Sequence, residues 1–225
     1  MRRLILLFPL ALPLVLAFFF ALLLVLALIQ IGLITYAYEK LGVPPGHVVT
    51  LLLLSLLGSY INIPVGTVQS GEMLPPQEVV FFGMRYRIPA PVAPKTVVAV
   101  NLGGAVLPVL LSLYVLFRTQ AWFDSFVGIA LVAAVVHRVA RPIPGLGIAM
   151  PLFVPPILAA VLGVLLSADH APAVAYVSGT LGTLIGADLL NLRKVAGLGA
   201  PVASIGGAGT FDGIFLTGIL AVLLS

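Results

Sequence analysis

Long apolar runs, separated by short polar segments, dominate this chain of 225 residues. Hydrophobic residues make up 61% of it and charged residues only 8%, and the mean hydropathy is +1.24. A soluble domain of this length cannot bury so much apolar surface, because the core of a small domain is limited in size. The sequence therefore predicts an all-α integral membrane protein whose main partner is the lipid bilayer.

Hydropathy over windows of about 19 residues predicts about seven transmembrane helices. They are expected at residues 4–34, 47–63, 96–117, 123–140, 148–167, 171–190 and 209–224. The first run is about twice as long as the apolar part of a signal peptide and lacks a small-residue cleavage site, so we expect it to be retained. Several spans contain Pro and Gly, which predicts broken helices. We expect one polytopic membrane domain over residues 1–225.

Basic residues predict the orientation, because Lys and Arg accumulate on the cytoplasmic side. A cytoplasmic N-terminus places nine of the eleven Lys and Arg inside, leaving Lys40 and Arg118 outside. Seven spans then put the C-terminus outside. The formal charge of +4 follows from this topology and from anionic headgroups, so we expect no nucleic-acid partner. The chain has no cysteine, which excludes disulfides, thiolate catalysis and cysteine metal sites.

The longest polar interruption covers residues 64–95 and is expected to be a cytoplasmic loop. Within it, the segment 79–88 (Val-Val-Phe-Phe-Gly-Met-Arg-Tyr-Arg-Ile) is rich in β-forming residues. It is interpreted either as a short hairpin strand on the membrane surface or as an aromatic and basic anchor at the interface. Outside this loop, Asn101-Leu-Gly-Gly-Ala resembles Ser204-Ile-Gly-Gly-Ala, as expected of a duplicated transporter. An internal repeat is therefore one hypothesis.

Two acidic residues, Asp188 and Asp212, lie in apolar, glycine-rich sequence near the ends of the last two spans. An ionisable group held in hydrocarbon is costly and is a candidate for function. Asp188 is expected one to two turns inside the cytoplasmic boundary. If the segment before Thr210 is irregular, the Thr210 hydroxyl caps the last helix and Asp212 lies at a similar depth. The two carboxylates are therefore expected to face one another.

Small residues predict close packing of these two helices, because glycine at every fourth position lets backbones approach. The residues concerned are Gly182, Gly186, Gly207, Gly209 and Gly213. Two carboxylates within a few ångströms cannot both ionise at low cost, so they would share a proton. One would then act as a base on water and the other as an acid, which is the arrangement needed for aspartyl peptide hydrolysis.

The layout of the last two helices resembles membrane-embedded aspartyl proteases of the presenilin and signal-peptide-peptidase type. These place one Asp near the cytoplasmic end of a sixth helix and one near the start of a seventh. Here Gly207-Ala-Gly209 is followed by Thr210-Phe211 before Asp212, and no Pro-Ala-Leu element follows. The resemblance implies a membrane-embedded peptide as substrate and Asp188 and Asp212 as catalytic residues.

The whole chain is similar to a prokaryotic family of multi-span membrane proteins of unknown function. The similar segments are Ile61-Asn-Ile-Pro, Tyr86-Arg-Ile-Pro, Ala140-Arg-Pro-Ile-Pro-Gly-Leu-Gly-Ile, Tyr176-Val-Ser-Gly-Thr-Leu-Gly-Thr-Leu-Ile-Gly-Ala-Asp-Leu-Leu-Asn-Leu and Ser204-Ile-Gly-Gly-Ala-Gly-Thr-Phe-Asp-Gly. This resemblance implies a shared fold and a location in the prokaryotic cytoplasmic membrane, and it supplies no activity.

Two other functions compete with the hydrolase. In a proton- or cation-coupled transporter of small solutes, the same aspartates bind the ion. Polar residues expected along the path of a substrate or ion are Asn62, Asn101, Asn191, Ser204 and Thr210. The alternative expectation for the three asparagines is that they cap broken helices. In a non-catalytic scaffold, Asp212 complements the helix N-terminus and Asp188 pairs with Arg193 or Lys194. The three histidines lie at separate boundaries, so neither a metal site nor a cofactor is expected.

Overall fold

The computed structural model describes residues 11–69, 77–81, 84–88, 95–143, 147–192, 194, 202–207 and 210–225. Most of these residues are helical. The α-helices are α1 (Ala11–Lys40), α2 (Pro45–Gly58), α3 (Leu107–Thr119), α4 (Trp122–Val139), α5 (Val154–Leu166), α6 (Ala171–Thr183) and α7 (Thr210–Leu224). Two π-helical turns, Leu102–Val106 and Leu184–Leu189, lead into α3 and continue α6.

Short strands accompany the helices, so the expectation of an all-α chain is corrected. They are β1 (Asn62–Gln69), β2 (Gln77–Phe81), β3 (Met84–Ile88), β4 (Lys95–Asn101), β5 (Arg141–Ile143), β6 (Gly147–Ala149) and β7 (Val202–Ile205). β1, β4 and β7 form one sheet in that order, while β2–β3 and β5–β6 are antiparallel hairpins. Of the two interpretations of segment 79–88, the structure has the hairpin.

The three-stranded sheet changes two of the predicted spans. α2 ends at Gly58 and β1 begins at Asn62, inside the predicted span 47–63. β4 takes the first residues of the predicted span 96–117, and helical structure follows only from Leu102. Four of the residues at 96–100 are β-branched, which favours a strand, and pairing with β1 and β7 satisfies the backbone groups. Hydropathy alone does not distinguish such a strand from a helix.

Three helical segments among the described residues are long and apolar enough to cross a membrane. They are Phe19–Lys40, Leu102–Thr119 and Trp122–Val139. Prolines that were expected to break helices instead lie in first turns, as in α3 and α5. A first turn tolerates proline because its N–H groups have no partner within the helix. α7 begins at Thr210, the start expected from the sequence.

α6 lies at the centre of the helical bundle, in contact with α3, α4, α5 and α7. Nearly all of its residues are buried, and most are Ala, Gly, Ser, Thr or Val. Its neighbours approach closely at glycines: a methyl group added at Gly163 of α5 would lie 2.8 Å from Ala175 Cβ, and one at Gly128 of α4 would lie 2.7 Å from Ser178 Cβ. The small side chains of α6 therefore allow it to be packed on several sides.

Candidate functional site

The site is built where β4 and β7 lie side by side in parallel, with Val97 opposite Val202 and Val100 opposite Ile205. Each strand leads through a glycine pair toward a helix, β4 into α3 and β7 into α7. We call Gly103, Gly104, Gly206 and Gly207 the glycine junction. The two similar segments found in the sequence are therefore neighbours in space.

The two sides of the glycine junction touch through their backbones. Gly206 has a φ of +70°, in the left-handed region that favours glycine. A methyl group added at Gly206 would lie 2.6 Å from both C and O of Gly104, and one added at Gly104 would strike the Gly206 carbonyl oxygen. A side chain on either residue would force the strands apart.

Asp188 reaches this junction from the π-helical turn that continues α6. Its side chain is buried, with 6% of its surface exposed. Its Oδ2 accepts a hydrogen bond of 2.7 Å from the Gly206 backbone N–H. The turn is closed by a bond of 2.9 Å from Leu190 N to Ile185 O, five residues back, as in a π-helix. The bond from Gly206 attaches the sixth helix to the segment that leads into the seventh.

Asn101, Asn62 and Ser204 form a polar cluster on the sheet side of the junction. Asn101 Oδ1 accepts a bond of 2.8 Å from Gly104 N, while its Nδ2 donates to Ser59 O at 2.7 Å and to Asn62 Oδ1 at 3.1 Å. Ser204 Oγ donates to the same Asn62 oxygen at 2.5 Å. The structure therefore brings together three of the five residues expected along a path.

Asn191 lies at the end of the sixth helix, where it acts as a cap, one of the two roles expected for it. Its Nδ2 donates to Gly186 O and Ala187 O, both at 3.0 Å, and its Oδ1 accepts from Lys194 Nζ at 2.9 Å. It satisfies carbonyl groups at the end of the helix, as a C-terminal cap does. Lys194 is thus hydrogen-bonded to Asn191, while Asp188 accepts a hydrogen bond from the Gly206 amide. Arg193, the other expected partner of Asp188, lies outside the described residues.

The second acid, Asp212, lies in the first turn of α7, because that helix begins at Thr210. The side chains of Thr210 and Asp212, and the whole of Gly209, lie outside the described residues. Only three residues separate Gly206, whose N–H binds Asp188, from Thr210. The chain therefore leads directly from the amide bound by Asp188 to the turn that carries Asp212.

The glycines expected to join the last two helices have other neighbours. A methyl group added at Gly182 would lie 2.6 Å from Val132 Cβ, and one added at Gly186 would lie 2.6 Å from Ala133 O, both on α4. Added at Gly213, it would meet Met150 Cε at 3.0 Å. These close contacts therefore join α6 to α4, and α7 to the segment before α5.

Other glycines bring α6 and α7 together. A methyl group at Gly179 would lie 3.2 Å from Thr217 Cγ2, and one at Gly218 would lie 2.8 Å from Tyr176 Cε2. Gly207 instead lies against β7, the strand that precedes it, because an added methyl group would strike the Ser204 side chain. The last two helices are therefore in close contact through Gly179 and Gly218, which are not among the glycines named from the sequence.

One part of the site was missed in the sequence. It is Gly206 as the partner of Asp188, since β4–β7 pairing depends on residues far apart in the chain. Capping by Asn101 is one of the two roles expected for it, because Asn is among the preferred residues before a helix and here precedes Leu-Gly-Gly. Among the described residues, no group of three His, Asp or Glu side chains lies close enough to hold a metal ion.

A family model described as "Protein of unknown function (DUF1614)" matches residues 56–224. The match runs from the end of α2 to the end of α7 and includes every candidate site residue named above. The chain therefore belongs to this family, which confirms the predicted membership of a family of unknown function. No curated protein and no solved structure matches the chain.

Proposed function

We propose that this family member is an integral membrane protein that crosses the bilayer seven times. Large apolar side chains on its helices are exposed to an extent that is unusual for soluble proteins. Examples are Phe20 on α1 at 65%, Phe117 on α3 at 65%, Phe123 on α4 at 79% and Leu165 on α5 at 75%. Hydrocarbon chains of lipid would cover these surfaces at no cost in hydration.

The positions of two basic residues support a cytoplasmic N-terminus. Lys40 Nζ donates to Val222 O at 3.3 Å, and the Arg118 guanidinium donates to Gly42 O. The C-terminal ends of α1, α3 and α7 therefore lie at one end of the bundle, together with the two cations predicted to be outside. The sheet and the glycine junction lie at the opposite end, where α3 and α7 begin. That end is predicted to face the cytoplasm.

Single cysteines test this topology, because the native chain has none. Gln69→Cys, at the end of β1, and Ala168→Cys, between α5 and α6, both change exposed residues. We expect an impermeant thiol reagent to label them from opposite faces of sealed vesicles, and the cysteine-free parent to stay unlabelled. Labelling of both residues from the same face would contradict the proposed topology.

Within the membrane, we propose an aspartyl-protease-like hydrolysis of membrane-embedded peptides by Asp188 and Asp212. The bond from Gly206 N to Asp188 Oδ2 carries this proposal. It fixes one carboxylate beside the segment that leads into α7, whose first turn holds the other acid. Asp188 thus binds a segment 18 residues further along the chain, directly before the helix that carries Asp212.

The chemistry needs one carboxylate in its charged form and one protonated. The charged group takes a proton from a water molecule, whose oxygen bonds to the carbonyl carbon of the substrate. The protonated group gives its proton to the carbonyl oxygen. When the C–N bond then breaks, the first carboxyl gives the leaving amine the proton that it took from water. One hydroxyl of the tetrahedral intermediate returns its proton to the second carboxylate, so the other product is a carboxylic acid and both acids regain their starting forms.

The edge of the sheet supports a peptide substrate. Among the described strands, β7 is an edge strand that pairs with β4, and in our proposal its second edge takes the substrate as an additional strand. An unwound peptide in a membrane needs partners for its backbone N–H and C=O groups. β7 ends at Ile205, directly before the Gly206 amide that binds Asp188, and would supply those partners next to the proposed acids.

The test is cleavage of a membrane-spanning reporter peptide by the purified protein in lipid vesicles. We expect Asp188→Asn and Asp212→Asn each to abolish cleavage. The matched control is Asp124→Asn, which changes an acid in the first turn of α4 and should leave cleavage unaltered. A peptide mimic with a hydroxyl group at the scissile position should inhibit the native protein. Cleavage that survives both substitutions together would refute the dyad.

A proton-coupled carrier is the second candidate, and one observation favours it. Thr180 on α6 and Thr217 on α7 are buried where these two helices touch, and a carrier uses such polar groups within its helical bundle. A carrier would show proton-dependent uptake of a small solute in proteoliposomes. Asp188→Asn would abolish this uptake, while no reporter peptide would be cleaved by the native protein.

A further inference from the structure

Buried hydroxyl groups follow one face of α6 toward Asp188. Tyr176, Thr180 and Thr183 are separated by four and three residues, the spacing of neighbours on one face of a helix. In an unbroken α-helix, position 187 would come next on that face. The π-helical turn Leu184–Leu189 adds one residue, so that Asp188 takes this place. All four side chains are buried.

A further threonine lies against this face of α6 from α7. Thr217 is buried, and its methyl group lies 3.2 Å from the position of a Cβ at Gly179. Next to it, a Cβ at Gly218 would lie 2.9 Å from Thr180 Oγ1. The hydroxyls of both helices therefore lie in one interface, where the glycines leave no side chain between them. We call Tyr176, Thr180, Thr183 and Thr217 the hydroxyl line.

Thr183 and Thr217 have no hydrogen-bond partner for their hydroxyls within the part of the chain that the structure describes. Their side chains are only 0% and 1% exposed. A buried hydroxyl without a partner costs about 1–3 kcal/mol. Proteins avoid this cost by placing water molecules at such groups. The interface between α6 and α7 thus has hydrogen-bonding capacity that its described protein groups leave unused.

A small cavity lies at the other end of the hydroxyl line. Its volume is about 20 Å³, and its polar lining comes from Tyr38, Ser55 and Tyr176. This is room for one water molecule with several polar partners. Ser55 Oγ also donates to Gly103 O at 3.0 Å, which connects the cavity to the glycine junction. Tyr38 is two residues before Lys40, at the end of the bundle opposite the sheet.

We infer that the hydroxyl line is a hydrated path that binds water and passes protons between the Tyr38–Tyr176 cavity and Asp188. Each hydroxyl accepts a proton on its oxygen and gives up its own, so that a proton moves along the line without net change to the side chains. The stretch from Tyr176 to Asp188 is about 18 Å long, more than half of a bilayer core of about 30 Å.

Cysteine substitutions test for water in this interface. We expect the thiols in Thr183→Cys and Thr217→Cys to react with silver ions in vesicles, measured as a loss of thiols that a fluorescent maleimide labels after denaturation. The controls are Val177→Cys on α6 and Val222→Cys on α7, which change equally buried residues of an apolar cluster. The two test thiols should react at least about tenfold faster, because a thiol ionises only where water reaches it. Equal rates at all four positions would overturn the inference.

A second variant tests whether the path is continuous. Adding Thr217→Val to Thr183→Cys removes one hydroxyl and keeps the shape of the side chain. We expect the thiol introduced at position 183 to react more slowly with silver, and the melting temperature to be no lower than that of the single variant, because an unpaired buried hydroxyl is lost. An unchanged rate would show that no path runs past Thr217. The thiol rates do not depend on peptide cleavage, so failure of the hydrolase proposal leaves this result intact.

Discussion

Two strand-to-helix connections lie side by side in this protein, one from β4 into α3 and one from β7 into α7. Both contain a glycine pair, but their first free backbone amides are satisfied differently. Gly104 N donates to Asn101, which precedes the turn in the same connection. Gly206 N donates to Asp188, which belongs to the end of another helix. The amide of the first connection is satisfied within that connection, and the amide of the second depends on a distant acid.

This difference indicates that the two connections have different roles, one in stability and the other in function. A self-capped turn fixes a helix start with neutral groups that the local sequence supplies. A buried carboxylate could be replaced there by Asn or Ser at low cost, so its presence in the second connection calls for a role beyond capping. The β7–α7 connection is therefore the functional one in our proposal, and the β4–α3 connection is its structural support.

The largest effect is expected from the contact that joins the two connections. Gly206→Ala places a side chain at a φ of +70° and 2.6 Å from the Gly104 backbone. We expect a loss of about 3 kcal/mol or more in the free energy of unfolding, because strain and overpacking add. Gly104→Ala should be similarly harmful. Gly32→Ala, where nothing lies within 4 Å of the added methyl group, is the control in thermal unfolding. Normal stability of Gly206→Ala would show that the junction is not tightly packed.

The next largest effect is expected at Asp188, where two substitutions distinguish the hydrogen bond that the side chain accepts from the charge that it carries. Asp188→Asn keeps an oxygen that can accept from Gly206 N, so the melting temperature should change little while activity is lost. Asp188→Ala leaves a buried N–H without a partner and should cost about 1–3 kcal/mol. Thermal unfolding of both variants measures the difference. Equal stability of Asn and Ala variants would contradict the bond to Gly206.

The sequence predicted the elements of the two connections better than their arrangement in space. The start of α7 at Thr210 was correctly predicted, because breakers before an apolar run mark a helix boundary. The Asp188 side chain is buried, while its role stays a prediction. Pairing of β4 with β7 was not predicted, since its partners are about a hundred residues apart in the chain and a buried β-branched strand has the hydropathy of a transmembrane helix.

For a related reason, the sequence did not identify the glycines that join α6 to α7. Spacing identifies small residues on one helix face, but it does not say which neighbour approaches that face. Gly182 and Gly186 share the predicted spacing and meet α4, while Gly179 and Gly218 mediate the contact of α6 with α7. Because α6 is surrounded by helices, each of its faces can pack closely against a neighbour. Which helix contacts which face depends on the tertiary structure.

A smaller effect is expected in the β4–α3 connection. Asn101→Ala removes the cap of Gly104 N and a bond to Ser59 O, both in a buried setting. Loss of such a cap costs about 1–2 kcal/mol. We expect a lower melting temperature with activity retained below it. Asn101→Asp restores the acceptor for Gly104 N and should recover part of the stability. Complete loss of activity in a folded Asn101→Ala protein would place this connection in the functional site as well.

The smallest effect is expected at Ser204, where the two connections share the Asn62 side chain. Ser204→Ala removes one hydroxyl bond to Asn62 Oδ1, which still accepts from Asn101 Nδ2. Asn62 is exposed, so water replaces the lost donor and the cost should stay below about 1 kcal/mol. The Thr67→Ala substitution, at an exposed position of β1, is the control for loss of a hydroxyl in the sheet. If Ser204→Ala instead abolishes peptide cleavage or solute uptake while the protein remains folded, Ser204 contacts the substrate, and the functional region extends from β7 across the sheet.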